Sequence, residues 1–126
     1  MTNLEIFNFV NICSNMLNKN LPLRLAYALR YNLNLLMPFY KACQEERNNI
    51  IKRYAETNDN GDFIAENGQI KFKDNKAYDE LNELLSIENE VKLTKVNMEI
   101  VEKTEADNYD SITMQELNVL MSIIEE

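Results

Sequence analysis

Histidine and tryptophan are absent from this 126-residue chain, and glycine, proline and cysteine occur twice each. Without histidine the chain lacks the commonest general base and the commonest nitrogen ligand for metals. A Ser-His-Asp or Cys-His nucleophilic site cannot be built from it. Two glycines cannot make a glycine-rich phosphate loop. So few breakers point to long regular elements and short connections. No apolar run reaches the roughly 18 residues of a membrane span. No charged start leads into an apolar run, so a signal peptide is not expected. Cys13 and Cys43 are too few for a disulfide scaffold, and both are expected as reduced thiols in a cytoplasm.

The chain that remains is one domain long. Hydrophobic residues make up 45%, enough to predict a folded core. The net charge of −8 is unevenly spread: residues 1–57 hold seven Lys/Arg against four Asp/Glu, and residues 58–126 hold six against seventeen. Bulk acidity opposes binding to a phosphate backbone, although a local basic patch on the N-terminal half is compatible with it. The acidic half serves solubility on the simplest reading, and a basic partner on the alternative.

Periodicity predicts a mostly helical α+β fold. Thr2 and Glu5 have capping-box spacing, and Ile6, Val10, Cys13 and Leu17 follow at helical intervals, widened by Phe7 and Phe9. Asn20-Leu21-Pro22 breaks and restarts the chain, with Pro22 suited to a first helical turn. From Pro22 to about Glu56, the residues Ala26, Leu29, Leu33, Leu36, Tyr40, Cys43, Arg47, Ile50 and Tyr54 alternate three and four apart. That is a heptad seam on one long helix, the second arm of a helical hairpin over 1–57. Pro38 lies inside it and predicts a kink, because it cannot donate to the Asn34 carbonyl.

Asp59-Asn60-Gly61 predicts the end of that helix. Asn67-Gly68, between the β-prone runs Phe63-Ile64-Ala65 and Gln69-Ile70-Lys71-Phe72, predicts a type I′ hairpin over 58–73. Asp74 opens a third helix to about Glu88, with Tyr78, Leu81 and Leu85 on one face. An extended stretch carries Val91, Leu93, Val96, Met98 and Ile100, and residues 103–111 read as a polar loop. Thr113 and Glu116 repeat the capping-box spacing before a last helix with Met114, Leu117, Leu120, Met121 and Ile124. Glu125 and Glu126, at the unfavourable end for negative charge, are expected to fray into solvent.

Few residues suggest chemistry. The cysteines read as buried small hydrophobes, not as zinc ligands or a redox pair. Asn58, Asn60 and Asp62 alternate like the start of a calcium loop, but Gly61 is misplaced and no closing Glu follows. Glu105, Asp107 and Asp110 read as a solvated acidic loop. No cofactor and no metal are expected, and the chain reads as non-enzymatic. Arg24, Tyr27, Arg30 and Tyr31 gather basic and aromatic groups on the long helix. They read first as packing against the first helix, next as a protein-binding face, and only then as a nucleic-acid surface. Arg47 occupies a seam position where an aliphatic residue belongs. A buried guanidinium there would need a carboxylate partner. On the simplest reading it snorkels to the seam's edge or pairs with an acidic residue of the C-terminal half; on the functional reading Arg47 is a ligand or partner contact.

Leu21-Pro22-Leu23-Arg24-Leu25-Ala26-Tyr27, the Glu45–Tyr54 helix end, Asp59-Asn60-Gly61, the Glu66–Phe72 turn and the Thr113–Glu126 tail stand in an order that resembles a group of small, uncharacterised phage and prophage proteins. Pro38 is a departure, since the group runs straight through that position. The resemblance covers most of the chain and implies a phage origin, in a host cytoplasm or a virion. It implies no catalytic residues. The resulting expectation is a non-catalytic interaction protein, a phage accessory or counter-defence factor. Its partner is a host or phage protein, or a second copy meeting the long helix. Alternatives are an acidic mimic of nucleic acid, a small structural component of a virion, or a metal-dependent enzyme built on carboxylates.

Overall fold

The computed structural model describes residues 1–105 and 108–125, with Glu105 through its backbone alone. The fold is α+β and mostly helical. Helix α1 (Asn3–Met16) and helix α2 (Leu23–Tyr54) form the expected hairpin. The Thr2 hydroxyl accepts from the Glu5 N–H while the Glu5 carboxylate accepts from the Thr2 N–H, so the capping box closes. At 32 residues, α2 is about 48 Å long. It runs through Pro38 without ending, and Pro38 lies on its exposed side. There the unclaimed Asn34 carbonyl can be hydrated, which lowers the cost of an interior proline.

The buried positions on α2 are Leu25, Ala28, Leu29, Asn32, Leu33, Leu36, Cys43 and Ile50. Up to Leu36 this is the wide stripe of a core helix, not the narrow seam of a coiled coil. Ala26, Tyr40 and Tyr54 sit at its margin, half-buried. The main core joins this stripe to Ile6, Phe9, Val10, Cys13 and Met16 of α1 and to Leu120 and Ile123 near the C-terminus. Cys43, Ile50 and Leu84 form a separate, smaller cluster.

Helix α2 ends at Tyr54, earlier than the Asp59-Asn60-Gly61 signal. That signal belongs to a turn of its own. The Asn58 side-chain oxygen accepts from the N–H groups of Asn60 and Asp62, and Gly61 has φ +83°. The chain then folds back, bridging Thr57 to Phe63. Strands β1 (Ala65–Glu66) and β2 (Gln69–Ile70) pair antiparallel, Ala65 with Ile70 and Glu66 with Gln69. Asn67 and Gly68 both have positive φ, as the type I′ turn demands. Helix α3 (Lys76–Ser86) follows, the N–H of its first residue, Lys76, met by the Asp74 carboxylate. Its buried residues are Ala77 and Leu84; Tyr78 is exposed and meets Phe72 edge to face at 5.2 Å.

The C-terminal third departs most from expectation. Met98 and Ile100 belong to helix α4 (Met98–Glu102), not to an extended stretch, because Asn97 caps the Glu99 N–H. A 3-10 turn (Lys103–Glu105) follows. Helix α5 (Met114–Leu120) starts on the Thr113–Glu116 capping box but gives way to a 3-10 turn at Met121–Ile123. Strand β4 (Ile124–Glu125) then pairs in parallel with strand β3 (Val96–Asn97). Glu125 is therefore paired with Asn97 in a ladder, with its side chain exposed; Glu126 lies outside the described residues.

Candidate functional site

Two surface regions concern the residues singled out from sequence. The first is the solvent face of α2 in its first half. Residues 23, 27, 30, 31 and 34 stand four, seven, eight and eleven positions from the first, which puts them on one helical face about 16 Å long. Leu23 is 83% exposed, Tyr27 63% and Tyr31 47%, and Arg24 and Arg30 are exposed beside them. Packing against α1, the first expectation for this group, is therefore wrong: α1 takes the opposite face of α2. The two tyrosine rings stack on each other, centroids 6.3 Å apart and planes 28° from parallel. This pre-orders the pair and lowers the entropy cost of docking on it.

Beside this face lies a cavity of about 520 Å³ lined by Leu23, Arg24, Tyr27, Ala28, residues 94–97, Ile100 and Glu125. Helix α2 forms one wall, and the β3–β4 ladder and α4 form the other. The far wall is held by Asn32, which is fully buried. Its amide donates to the Thr94 carbonyl at 2.9 Å, and its oxygen accepts from the Thr94 N–H at 2.7 Å. One side chain thus pairs an extended backbone as a neighbouring strand would, in the middle of an apolar stripe. Sequence reading missed Asn32; the signal was an amide at a stripe position.

A second hold lies at the α1–α2 turn. Lys19 Nζ donates to Glu116 Oε1 at 2.6 Å and to the Ser111 carbonyl at 2.8 Å. The Asn20 N–H donates to the Asp110 carboxylate at 2.7 Å, and the Asn20 amide to the Asn108 carbonyl. Burial pushes the Glu116 carboxyl up, but hydrogen bonds from Lys19 and from the Thr113 N–H and hydroxyl outweigh it and hold it below its usual range. Asp110 is exposed, as expected of a solvated acidic loop, and also serves as a structural acceptor. The Glu105 side chain and Asp107 lie outside the described residues.

Arg47 does not join the Tyr/Arg face. It stands sixteen residues past Tyr31, about 24 Å along the helix. It lies between the buried Cys43 and Ile50 in sequence, yet it is exposed. The seam opens there into a cavity of about 420 Å³, lined also by Leu4, Phe7 and Asn11 of α1 and by Tyr78, Leu81 and Leu85 of α3. Among the described residues Arg47 makes no ion pair, so the acidic partner is not found, while its exposure agrees with the expected snorkelling to the seam's edge. The pair that does tie α2 to α3 is Arg53–Glu80 at 3.3 Å, with Tyr54 donating to the same carboxylate.

Little else offers chemistry. Burial, with a smaller contribution from Glu116, raises the Cys13 thiol to about 12; burial also raises Cys43, against the opposing charge of Arg47. Both are free and buried, in separate clusters. Among the described residues no three Cys, Asp or Glu side chains gather as a metal site would require. No helix among them is long and apolar enough to cross a membrane. No family model matches the chain, and neither curated proteins nor solved structures give a match.

Proposed function

We propose that this is a non-catalytic protein-binding factor that meets its partner through the solvent face of α2 between Leu23 and Asn34. In line with the phage resemblance, the proposal extends to a phage accessory or counter-defence factor acting on a host protein. One observation carries the reading: Leu23, Tyr27 and Tyr31 stand exposed on one helical face, beside a mostly apolar groove. Soluble domains rarely leave contiguous apolar and aromatic surface uncovered without use, and tyrosine and arginine are enriched where binding energy concentrates. The absence of histidine and the scattering of carboxylates over the described surface favour binding over catalysis.

The apolar stripe of α2 is itself covered by α1 and the C-terminal elements, so self-association along that seam is not proposed. The test compares wild type with a Leu23→Ser/Tyr27→Ser variant in capture from host lysate and in light scattering after size exclusion. Retention of a defined host protein by wild type alone supports the reading. A strictly monomeric protein that captures nothing counts against it.

A further inference from the structure

No Asp or Glu occurs between Ile6 and Gln44, although the chain carries 21 of them. The exposed face of α2 over Leu23–Asn34 therefore presents Arg24 and Arg30 with no carboxylate of its own helix beside them. Neither arginine makes an ion pair among the described residues. Across the groove stands Lys95, with Glu125 the one carboxylate among the groove's lining residues. A chain of net charge −8 thus reserves a locally cationic, aromatic-faced strip about 16 Å long.

We propose that the occupant of this face is an acidic amphipathic helix of a partner protein, its apolar residues on Leu23, Tyr27 and the groove, its carboxylates on Arg24 and Arg30. The proposal rests on the protein-binding reading above and names the chemistry of the partner. Charge complementarity selects it. A basic segment would meet two arginines and a lysine. A second copy would bring a further charge of −8 and, aligned face to face, arginine against arginine. A single-stranded nucleic acid would gain two stacking rings but only a handful of cations, against the repulsion of the whole chain. The strip's length matches the two to three turns over which groove-bound helices present their anchors.

The test uses the full chain and synthetic peptides of about 18 residues with leucines at helical spacing. One set is flanked by glutamates and the other, with the same apolar pattern, by lysines. Fluorescence anisotropy is expected to show the glutamate peptide binding at least about tenfold tighter than the lysine peptide, and weakening as salt rises. Arg24→Glu/Arg30→Glu should remove that preference with the circular dichroism and melting temperature unchanged. Arg24→Lys/Arg30→Lys should keep most of it, which guards against a folding artefact. Equal binding of both peptides, lost in Leu23→Ser/Tyr27→Ser, overturns the acidic partner but leaves the protein-binding face standing. Absence of binding by either peptide overturns the acidic helix, while lysate capture judges the broader reading. Tighter binding of oligo-dT, or a dimer dissolved by Tyr27→Ser, overturns the proposal in favour of those occupants.

Discussion

Between Leu25 and Leu36, α2 buries six residues at alternating steps of three and one; between Met37 and Tyr54 it buries only Cys43 and Ile50, seven apart. The first half lies against α1, α4 and the C-terminal segment and forms the main core. The second half touches α1 and α3 and shares a three-residue cluster with Leu84. A stripe of adjacent buried side chains removes far more apolar area from water than a single file does, at about 25 cal/mol per Å². One helix thus serves as core in its first half and as a spine carrying a lighter lobe in its second. The solvent face proposed for binding sits on the first half, where the backbone is best held. Binding surfaces mounted on rigid elements lose less entropy when occupied.

The largest effect should separate the halves directly. Leu29→Ala, at a site with no exposed surface, is expected to cost about 4 kcal/mol, and Ile50→Ala about 2 kcal/mol. Urea unfolding measures both, and equal costs would break the distinction. Asn32→Leu should cost about 2–3 kcal/mol despite its added apolar surface, because the N–H and carbonyl of Thr94 lose their partner. A neutral outcome would mean that water replaces the amide.

Glu116→Gln should cost about 1.5 kcal/mol at neutral pH by weakening a charge-assisted bond to Lys19. The pH dependence has a definite sign. The folded carboxyl titrates below its unfolded value, so its contribution is present above the usual carboxylate range and disappears as pH falls through the lowered pKa. Wild type should therefore lose stability on the acid side more steeply than the glutamine variant, as acid titrations of the unfolding midpoint would show. The smallest effect concerns rate. Cys43, in the lighter lobe, should react with a thiol reagent through local opening, faster than Cys13, whose exposure needs the main core to open. Equal rates would mean that the two lobes open together.

Most of the fold was legible wherever local chemistry decides structure. The capping boxes at Thr2 and Thr113, the Asn67-Gly68 turn and the long helical period act over a few residues and came through intact. The misses share a cause. Whether 96–100 is strand or helix depends on Asn97 as a cap and on the pairing of Val96 with Ile124, a contact between distant parts of the chain. The end of the last helix depends on the same ladder. In the candidate site, Arg24, Tyr27, Arg30 and Tyr31 were legible as a group because helical spacing joins them. Their exposure was not, because it depends on which face α1 covers. Arg47 stands on a seam whose neighbours are buried, and sequence left its exposure open; the gap between α1 and α3 that frees it has no local signature.

The amide of Asn32 has a consequence for how the chain folds. Its partner lies 62 residues away, so the bond cannot form while the α1–α2 hairpin stands alone. Until the 94–97 segment arrives, the hairpin carries a hydrated amide inside the surface it most needs to dry, and closing that long loop costs entropy in advance. The N-terminal hairpin taken alone would therefore leave the Asn32 amide without its partner in the middle of its apolar stripe. The same contact that satisfies the amide also sets the far wall of the groove, so core and groove share one long-range pairing.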